Sequence, residues 1–102
     1  MAIKAIQATT FEDFTDADLI REAILGTEDS FAELVQRYQR PIISYVYRFL
    51  NDYDASLDVT QEVFIKVYNS LERYSSDYKF STWLYRIAHN AAIDYIRRHQ
   101  QK

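Results

Sequence analysis

Aromatic side chains crowd one short stretch of the chain, between residues 74 and 85. Five of these twelve positions are aromatic: Tyr74, Tyr78, Phe80, Trp83 and Tyr85. Exposed rings can stack on unpaired nucleic-acid bases, a contact that contributes about 1–3 kcal/mol per base. Lys79 and the free amides of a helix beginning here could contact phosphates. The same rings could instead be packing residues, and the sequence leaves both interpretations open.

The segment after the aromatic cluster carries polar and basic side chains at helical spacing. One stripe contains Arg86, Asn90, Ile93, Arg97 and Gln101, and Asp94 and Arg98 adjoin it. Asn, Gln and Arg can present paired donors and acceptors to base edges. A solvated helix with cations near its C-terminus would explain these residues without a ligand. A stacking loop that leads into such a helix predicts a surface holding duplex DNA on one side and an unpaired strand on the other.

The segment before the aromatic cluster places acids on one helical stripe. The stripe contains Asp58, Glu62, Ile65, Asn69 and Glu72, with Gln61 beside it. A solvated outer face is the simplest interpretation. Ile65 within this charged stripe is also typical of a protein-docking patch, in which a small apolar anchor lies inside a polar rim. Both interpretations stay open.

Metal and catalytic chemistry find little support in the sequence. A di-metal carboxylate site in a helical bundle would need Glu-x-x-His motifs that project into the core, but Ile65 stands three residues after Glu62. His89 and His99 are ten residues apart and therefore lie on different sides of one helix. The absence of Cys excludes a disulfide and a thiolate metal site. We expect no enzymatic activity, no metal and no cofactor.

Composition favours an all-helical domain. Gly and Pro each occur once in 102 residues, 48% of which are apolar, so long helices and short connections should surround a modest core. The sequence shows neither a membrane-span-length apolar run nor a signal-peptide pattern, and we expect a cytoplasmic protein without a membrane partner. The net charge of −3 is unevenly distributed, with acids concentrated in residues 11–30 and basic residues from Lys79 to the end. This split indicates two partners or one polarised surface.

Capping signals and apolar periodicity predict the first two helices after a flexible leader over residues 1–14. Thr15 and Asp18 form a weak capping box for a short helix that ends near Leu25, with Gly26 in the C′ position. A second helix should extend from a Thr27 cap to about Leu50. Because Pro41 removes one helical hydrogen bond, we expect a kink or a break there.

Two further helices complete the predicted bundle, in which residues 15–102 form one domain. Asp52 or Asp54 should cap the third helix, whose predicted buried stripe is Val59, Val63, Phe64, Val67 and Leu71. After a loop over residues 75–79, Ser81 or Thr82 should cap the fourth helix. Its predicted core face is Leu84, Ile87, Ala88, Ala91 and Tyr95. The predicted fold is a compact all-α bundle of about four helices.

Several separated motifs resemble region 2 of the bacterial extracytoplasmic-function (ECF) sigma factors. An Asp-x-x-Gln-Glu-x-Phe element is matched by Asp58, Gln61, Glu62 and Phe64. The closing segment of that domain is matched by Phe80-Ser81-Thr82-Trp83-Leu84 and by Asn90, Asp94, Arg97 and Arg98 at their spacing. The resemblance covers roughly residues 16–98. It implies a sigma region 2-like bundle that acts in transcription initiation.

The resemblance also implies two binding surfaces. One would dock on the clamp-helix coiled coil of the largest RNA polymerase subunit, through Asp58, Gln61, Glu62, Ile65 and Asn69. The other would recognise and melt the minus-ten promoter element and capture its non-template strand. Its residues would be Tyr74, Tyr78, Lys79, Phe80, Trp83, Arg86, Asn90, Asp94, Arg97 and Arg98. An anti-sigma factor is a further partner that the resemblance allows.

Two departures from the family pattern accompany the resemblance. Thr27 follows Gly26 where the family often has Asp. The chain stops at Lys102, whereas a complete member continues into a region 4 helix-turn-helix domain that reads the minus-thirty-five element. We therefore expect a domain that alone does not direct transcription at normal strength. The alternative function is a helical interaction module of the same fold, an anti-sigma decoy or adaptor without DNA binding.

Overall fold

The structure, a computed structural model, describes residues 11–100 and is built from four α-helices. They are α1 (Asp16–Ile24), α2 (Glu28–Leu50), α3 (Tyr53–Ser70) and α4 (Phe80–Gln100). Two short 3-10 turns, Phe11–Asp13 and Leu71–Arg73, precede α1 and follow α3. Residues 11–100 contain no strand, and the predicted all-α bundle is confirmed.

Both ends of α1 follow from local hydrogen bonding. The Thr15 hydroxyl accepts a hydrogen bond from the Asp18 amide at 3.1 Å, and the Asp18 carboxylate accepts one from the Thr15 amide at 2.9 Å. Gly26 adopts a φ of 108°, which is strained for any residue with a Cβ. The Thr27 amide then donates to the Glu22 carbonyl at 3.0 Å, as in a Schellman motif. The predicted capping box and glycine stop are confirmed.

The sequence predicted either a kink or a break of the second helix at Pro41. α2 is one helix of 23 residues with Pro41 inside it, so the break is absent. Pro41 is exposed, while Leu34 on one side of it and Ile42 and Val46 on the other are buried. Burial of both halves of the helix in one core outweighs the loss of a single backbone hydrogen bond. Thr27 occupies the predicted N-cap position, but its hydroxyl makes no capping hydrogen bond.

The N-termini of α3 and α4 form in different ways. Asp52 caps α3, because its carboxylate accepts a hydrogen bond from the Ala55 amide at 3.0 Å. α4 begins at Phe80, one residue before the first of the two predicted caps, and the prediction that Ser81 or Thr82 caps this helix is wrong. The Phe80 side chain is buried and only 4% exposed, so its packing draws this residue into the first helical turn.

The core matches the predicted periodicity most closely on α3 and the turn that follows it. All five predicted positions there are buried: Val59, Val63, Phe64, Val67 and Leu71. On α4, Leu84, Ala88 and Ala91 are buried, while Ile87 and Tyr95 are half-buried and pack against the core. Ala92 is also fully buried, although its position was not predicted to face the core. Small residues at these positions allow neighbouring backbones to approach closely.

The segment before α1 is partly folded. Phe11 and Phe14 form an edge-on aromatic pair with ring centroids 5.4 Å apart and pack against the core. Arg37 donates a hydrogen bond to the Phe11 carbonyl at 2.7 Å. Residues 11–14 therefore belong to the folded domain and not to the predicted leader, whose first ten residues lie outside the described part of the chain. No helix within residues 11–100 is long and apolar enough to span a membrane.

Candidate functional site

The loop over residues 74–79, called here the aromatic loop, joins the start of α4 in one continuous aromatic cluster. The Tyr74 ring centroid lies 5.7 Å from that of Phe80, 5.2 Å from that of Trp83 and 6.1 Å from that of Tyr78. The Tyr74 hydroxyl also donates a hydrogen bond to the Tyr78 carbonyl. Tyr74 thus ties the two ends of the loop together over the first turn of α4.

Burial divides the aromatic cluster into supporting and exposed rings. Phe80 belongs to the core, whereas Tyr78 is 41% exposed. Tyr74 and Trp83 are half-buried between them. Tyr85 points elsewhere and packs edge-on against Tyr45 with ring centroids 5.1 Å apart. The packing interpretation therefore applies to Phe80 and Tyr85, while Tyr78 is the exposed ring of the cluster.

A surface cleft of about 670 Å³ separates the aromatic loop from the first turns of α1. The loop contributes Tyr74, Tyr78 and Lys79 to one wall, and Phe80 also lines it. The opposite wall contains Thr15, Asp16, Ala17 and Ile20 of α1 and Tyr38 of α2. Sequence reasoning missed this second wall, because only tertiary packing brings residues near position 16 to a loop near position 76. A volume of this size is ample for a small aromatic ligand.

Asp16 is the anchored acid of the α1 wall. Its carboxylate accepts a hydrogen bond from the Tyr38 hydroxyl at 2.5 Å and another from Arg37 at 3.2 Å. Arg37 also pairs with Glu33 at 3.1 Å. Burial, together with the Asp16 hydrogen bond, raises the pKa of the Tyr38 hydroxyl far above its ordinary value. Tyr38 therefore remains a protonated donor that holds the Asp16 carboxylate in place.

The polar stripe predicted on α4 is on the surface of the domain. The five predicted contact residues are all exposed: Arg86, Asn90, Asp94, Arg97 and Arg98. The Arg86 guanidinium lies 5.8 Å from the Tyr78 ring centroid, which connects this stripe to the aromatic loop. Arg97 and Asp94 form an exposed ion pair at 3.3 Å, a type of contact that contributes little to stability. Gln101 of the predicted stripe lies outside the described residues.

The acidic stripe of α3 is exposed at every predicted docking position: Asp58, Gln61, Glu62, Ile65 and Asn69. Ile65, 59% exposed, borders a second groove of about 670 Å³ rather than standing alone. Val35, Gln39 and Ile43 of α2 form the other wall of this groove. Phe64 and the buried Thr60, whose hydroxyl has no hydrogen-bond partner within residues 11–100, also line it. The sequence pattern did not reveal the α2 wall.

The histidines and acids of the described residues do not assemble a metal site. Within residues 11–100, no three His, Asp or Glu side chains are grouped to hold an ion. His89 is exposed, with its Nδ1 3.2 Å from the Tyr45 hydroxyl, and His99 stacks on Tyr95 one turn away on its own helix.

These features define a helical domain that has an aromatic cleft beside a polar helix and an exposed acidic stripe on a separate helix. Its family follows from comparison with known proteins. The sigma-70 region 2 family model matches residues 34–102, and the chain belongs to that family. The resemblance to ECF sigma factors is confirmed by the relatives described next.

Two curated relatives illustrate the similarity. The ECF RNA polymerase sigma factor SigW of Bacillus subtilis is 40% identical over 79 residues, which cover 78% of this chain and 42% of SigW. The ECF RNA polymerase sigma-E factor of Escherichia coli K12 is 42% identical over 85 residues, 83% of this chain and 44% of sigma-E. The chain thus spans less than half the length of either relative.

A solved structure shares both fold and sequence with this domain. It is an NMR structure of an engineered region 2 of sigmaE in complex with GTAAAA. The TM-score is 0.82 at 40% identity, and the match covers 90% of this chain and 96% of the other. The relationship therefore extends over nearly the whole of both domains.

Proposed function

We propose that this domain docks on core RNA polymerase and captures the unpaired non-template strand of a minus-ten promoter element during transcription initiation. The observation that carries the proposal is the exposed Tyr78 ring at the mouth of a cleft, with Arg86 beside it. The similar engineered region 2 of sigmaE forms a complex with GTAAAA. Shared family and fold support the same function for this chain.

Strand capture would use the aromatic loop and α4 together. A base taken out of the stack costs a few kcal/mol, so the cleft must supply compensating contacts. Tyr78 would stack on that base, Tyr74 and Trp83 would frame it, and the buried Phe80 would support them from below. Lys79 would contact a phosphate. The α4 stripe would face the upstream duplex edge through Arg86, Asn90, Asp94, Arg97 and Arg98.

Polymerase docking would use the α3 stripe and its groove. Asp58, Gln61 and Glu62 would form the polar rim, while Ile65 would insert beside the groove as the apolar anchor. Asn69 would extend the contact by one helical turn. The proposed partner is the clamp-helix coiled coil of the largest polymerase subunit. RNA synthesis itself would be carried out by the polymerase. The domain itself would act in the cytoplasm as a non-catalytic component and could also be bound by an anti-sigma factor.

A pull-down with core RNA polymerase tests both parts of the proposal. The domain is incubated with core enzyme in the presence and absence of labelled GTAAAA, and both retained protein and retained strand are measured. We expect core binding, together with strand capture that core enzyme enhances. Core binding without strand capture would replace the proposal with the decoy or adaptor function. If the folded domain binds neither core enzyme nor GTAAAA, its similarity to the sigma factors would be one of fold and not of function.

A further inference from the structure

The α1 wall of the cleft presents a carboxylate whose position is set before any ligand binds. Asp16 lines the cleft across from the aromatic loop, and its side chain is 30% exposed. Tyr38 and Arg37 hold its two oxygens from the α2 side. An ionised carboxylate can accept about four hydrogen bonds. The two that Asp16 accepts therefore leave acceptor capacity for a donor on a ligand in the cleft.

Nucleobases differ in what they can donate to such a group. Adenine and cytosine carry an exocyclic amine at the major-groove end of the edge that is freed when the base leaves its partner, whereas thymine and guanine carry a carbonyl at the equivalent position. A carbonyl oxygen facing a carboxylate would meet electrostatic repulsion in place of a hydrogen bond. Sites built around one hydrogen bond strongly reject an analogue that lacks the matching group. The wall is therefore suited to an amine-bearing base.

We propose that Asp16 is a specificity-determining residue of the cleft, which accepts a hydrogen bond from the exocyclic amine of the captured base and so favours adenine or cytosine over thymine. Tyr38 acts as a positioning residue, because its hydroxyl orients the carboxylate. This inference rests on the proposed strand capture. It adds the α1 wall to the loop and helix residues that sequence reasoning assigned to DNA.

A second acid of the cleft provides a matched control. Asp77 lies on the aromatic loop, is exposed, and also lines the cleft. Its backbone amide donates to the Ser75 hydroxyl at 3.2 Å, but no described side chain donates to its carboxylate. Water competes well for an exposed acceptor of this kind, so Asp77 should discriminate between bases much less than Asp16.

The test is a double-mutant cycle between the protein and the strand. The probes are labelled GTAAAA and four versions in which one adenine at a time is replaced by purine, which lacks only the amine. Dissociation constants are measured by fluorescence anisotropy for the wild-type domain, Asp16→Asn and Asp77→Asn. Asparagine keeps one acceptor for the Tyr38 hydroxyl, and circular dichroism verifies that each variant is folded. Asp16→Ala serves as a second variant that removes the acceptor completely.

We expect one adenine position at which loss of the amine weakens wild-type binding roughly tenfold, the size of one hydrogen bond to a charged group. The same change should weaken binding to Asp16→Asn about twofold or less, while Asp77→Asn should behave as wild type. An equal loss in wild type and both Asp16 variants would overturn the assignment, as would coupling to Asp77 instead. Failure of the folded wild-type domain to bind GTAAAA at all would contradict the proposed function itself.

Discussion

Two tyrosines of the same cleft have different roles in the domain. Tyr38 is half-buried, and its hydroxyl donates to Asp16 on the neighbouring helix. Tyr78 is 41% exposed, and its ring meets the edge of Tyr74 and the guanidinium of Arg86. At the scale of single residues, Tyr38 should therefore affect stability and, through Asp16, the choice of base, whereas Tyr78 should affect mainly the affinity for the strand.

Tyr38→Phe should lower the free energy of unfolding by about 1–2 kcal/mol at neutral pH, because it removes one hydrogen bond to a charged group. The folded-state pKa of Tyr38 lies above the unfolded value near 10. Its contribution is therefore fully present below pH 10 and is lost as the pH rises further. Urea unfolding from pH 7 to 11 should show the difference between wild type and variant shrinking above pH 10.

The exposed Tyr53, 59% accessible, supplies the control for this prediction. Tyr53→Phe should leave both the stability and its pH dependence close to those of wild type. A difference between wild type and Tyr38→Phe that stays constant over the whole pH range would contradict the linkage to Tyr38 ionisation.

Tyr78→Ala should weaken capture of a GTAAAA strand by roughly five- to a hundredfold, the loss of one stacking contact. Its free energy of unfolding should change by less than about 1 kcal/mol, because the ring is largely on the surface. Phe80→Ala is the contrasting variant and should lose about 3–5 kcal/mol of stability. Strand binding by anisotropy and urea unfolding separate the two effects. A large stability loss in Tyr78→Ala would identify it as a core residue.

At the scale of elements, α3 has two different stripes on its surface. One stripe is buried and holds the bundle together, and the other is exposed and acidic. The two stripes lie on the same helix but consist of different residues. The exposed stripe can therefore be altered with little effect on packing, which makes the docking proposal accessible to charge reversal.

The double substitution Asp58→Lys and Glu62→Lys should abolish retention of the domain by core RNA polymerase while the domain remains folded. In the proposed complex the polymerase surface faces the two acids of the stripe. Lysines at these positions would place positive charges against a surface suited to negative ones, and the two surfaces would repel each other. Glu12→Lys with Asp13→Lys makes the same net-charge change on the exposed turn before α1 and should bind normally. Pull-down and circular dichroism are the measurements. Normal binding by the folded α3 variant would remove this stripe from the interface.

Pro41→Ala should increase the free energy of unfolding by roughly 1–3 kcal/mol. Proline inside a helix costs about 3 kcal/mol relative to a good helix former, and Pro41 is exposed, so its replacement leaves no cavity. Thermal and urea unfolding measure the gain. Gln39→Ala, an exposed substitution in the same helix, controls for helix propensity alone. A destabilised Pro41→Ala variant would show that the proline shapes α2 to fit the core.

At the scale of the whole molecule, the cleft beside the aromatic loop lies in an acidic part of the protein. Seven acidic residues and one arginine occupy residues 11–30, and this segment contributes the α1 wall of the cleft. Lys79 lines the cleft and Arg86 lies beside the Tyr78 ring, while the chain as a whole has a net charge of −3. Binding should therefore depend on the fit of the base and only weakly on attraction of the strand's phosphates.

The salt dependence of strand binding tests this view of the molecule. A single-stranded ligand contributes about −0.7 to the slope of log affinity against log salt for each phosphate neutralised. If Lys79 and Arg86 each neutralise one phosphate, the slope for GTAAAA should be about −1.4. It should be about 0.7 smaller in magnitude for Lys79→Ala. A slope steeper than about −3 would show that a broad electrostatic surface dominates binding.

Much of the fold could be predicted from sequence because its signals are local. Thr15, Asp18 and Gly26 set the ends of α1 through hydrogen bonds and a backbone angle within one helical turn. The apolar period of α3 predicted its buried stripe, and its polar remainder predicted the exposed positions of Asp58 and Glu62. Each of these features depends on residues a few positions apart.

Tertiary packing alone decided the features that join distant parts of the chain. Asp16 and Tyr38 form a hydrogen bond although they are 22 positions apart, and the apolar periodicity of the sequence does not predict this pair. Burial of Phe80 and exposure of Tyr78 depend on which helices lie beneath the loop. By itself the sequence determined the four helices, both ends of α1 and the polar faces of α3 and α4, because backbone hydrogen bonding and apolar spacing act locally. The cleft wall at Asp16 and the continuity of α2 through Pro41 required the packed core, because only contacts between helices supply the free energy that decides them.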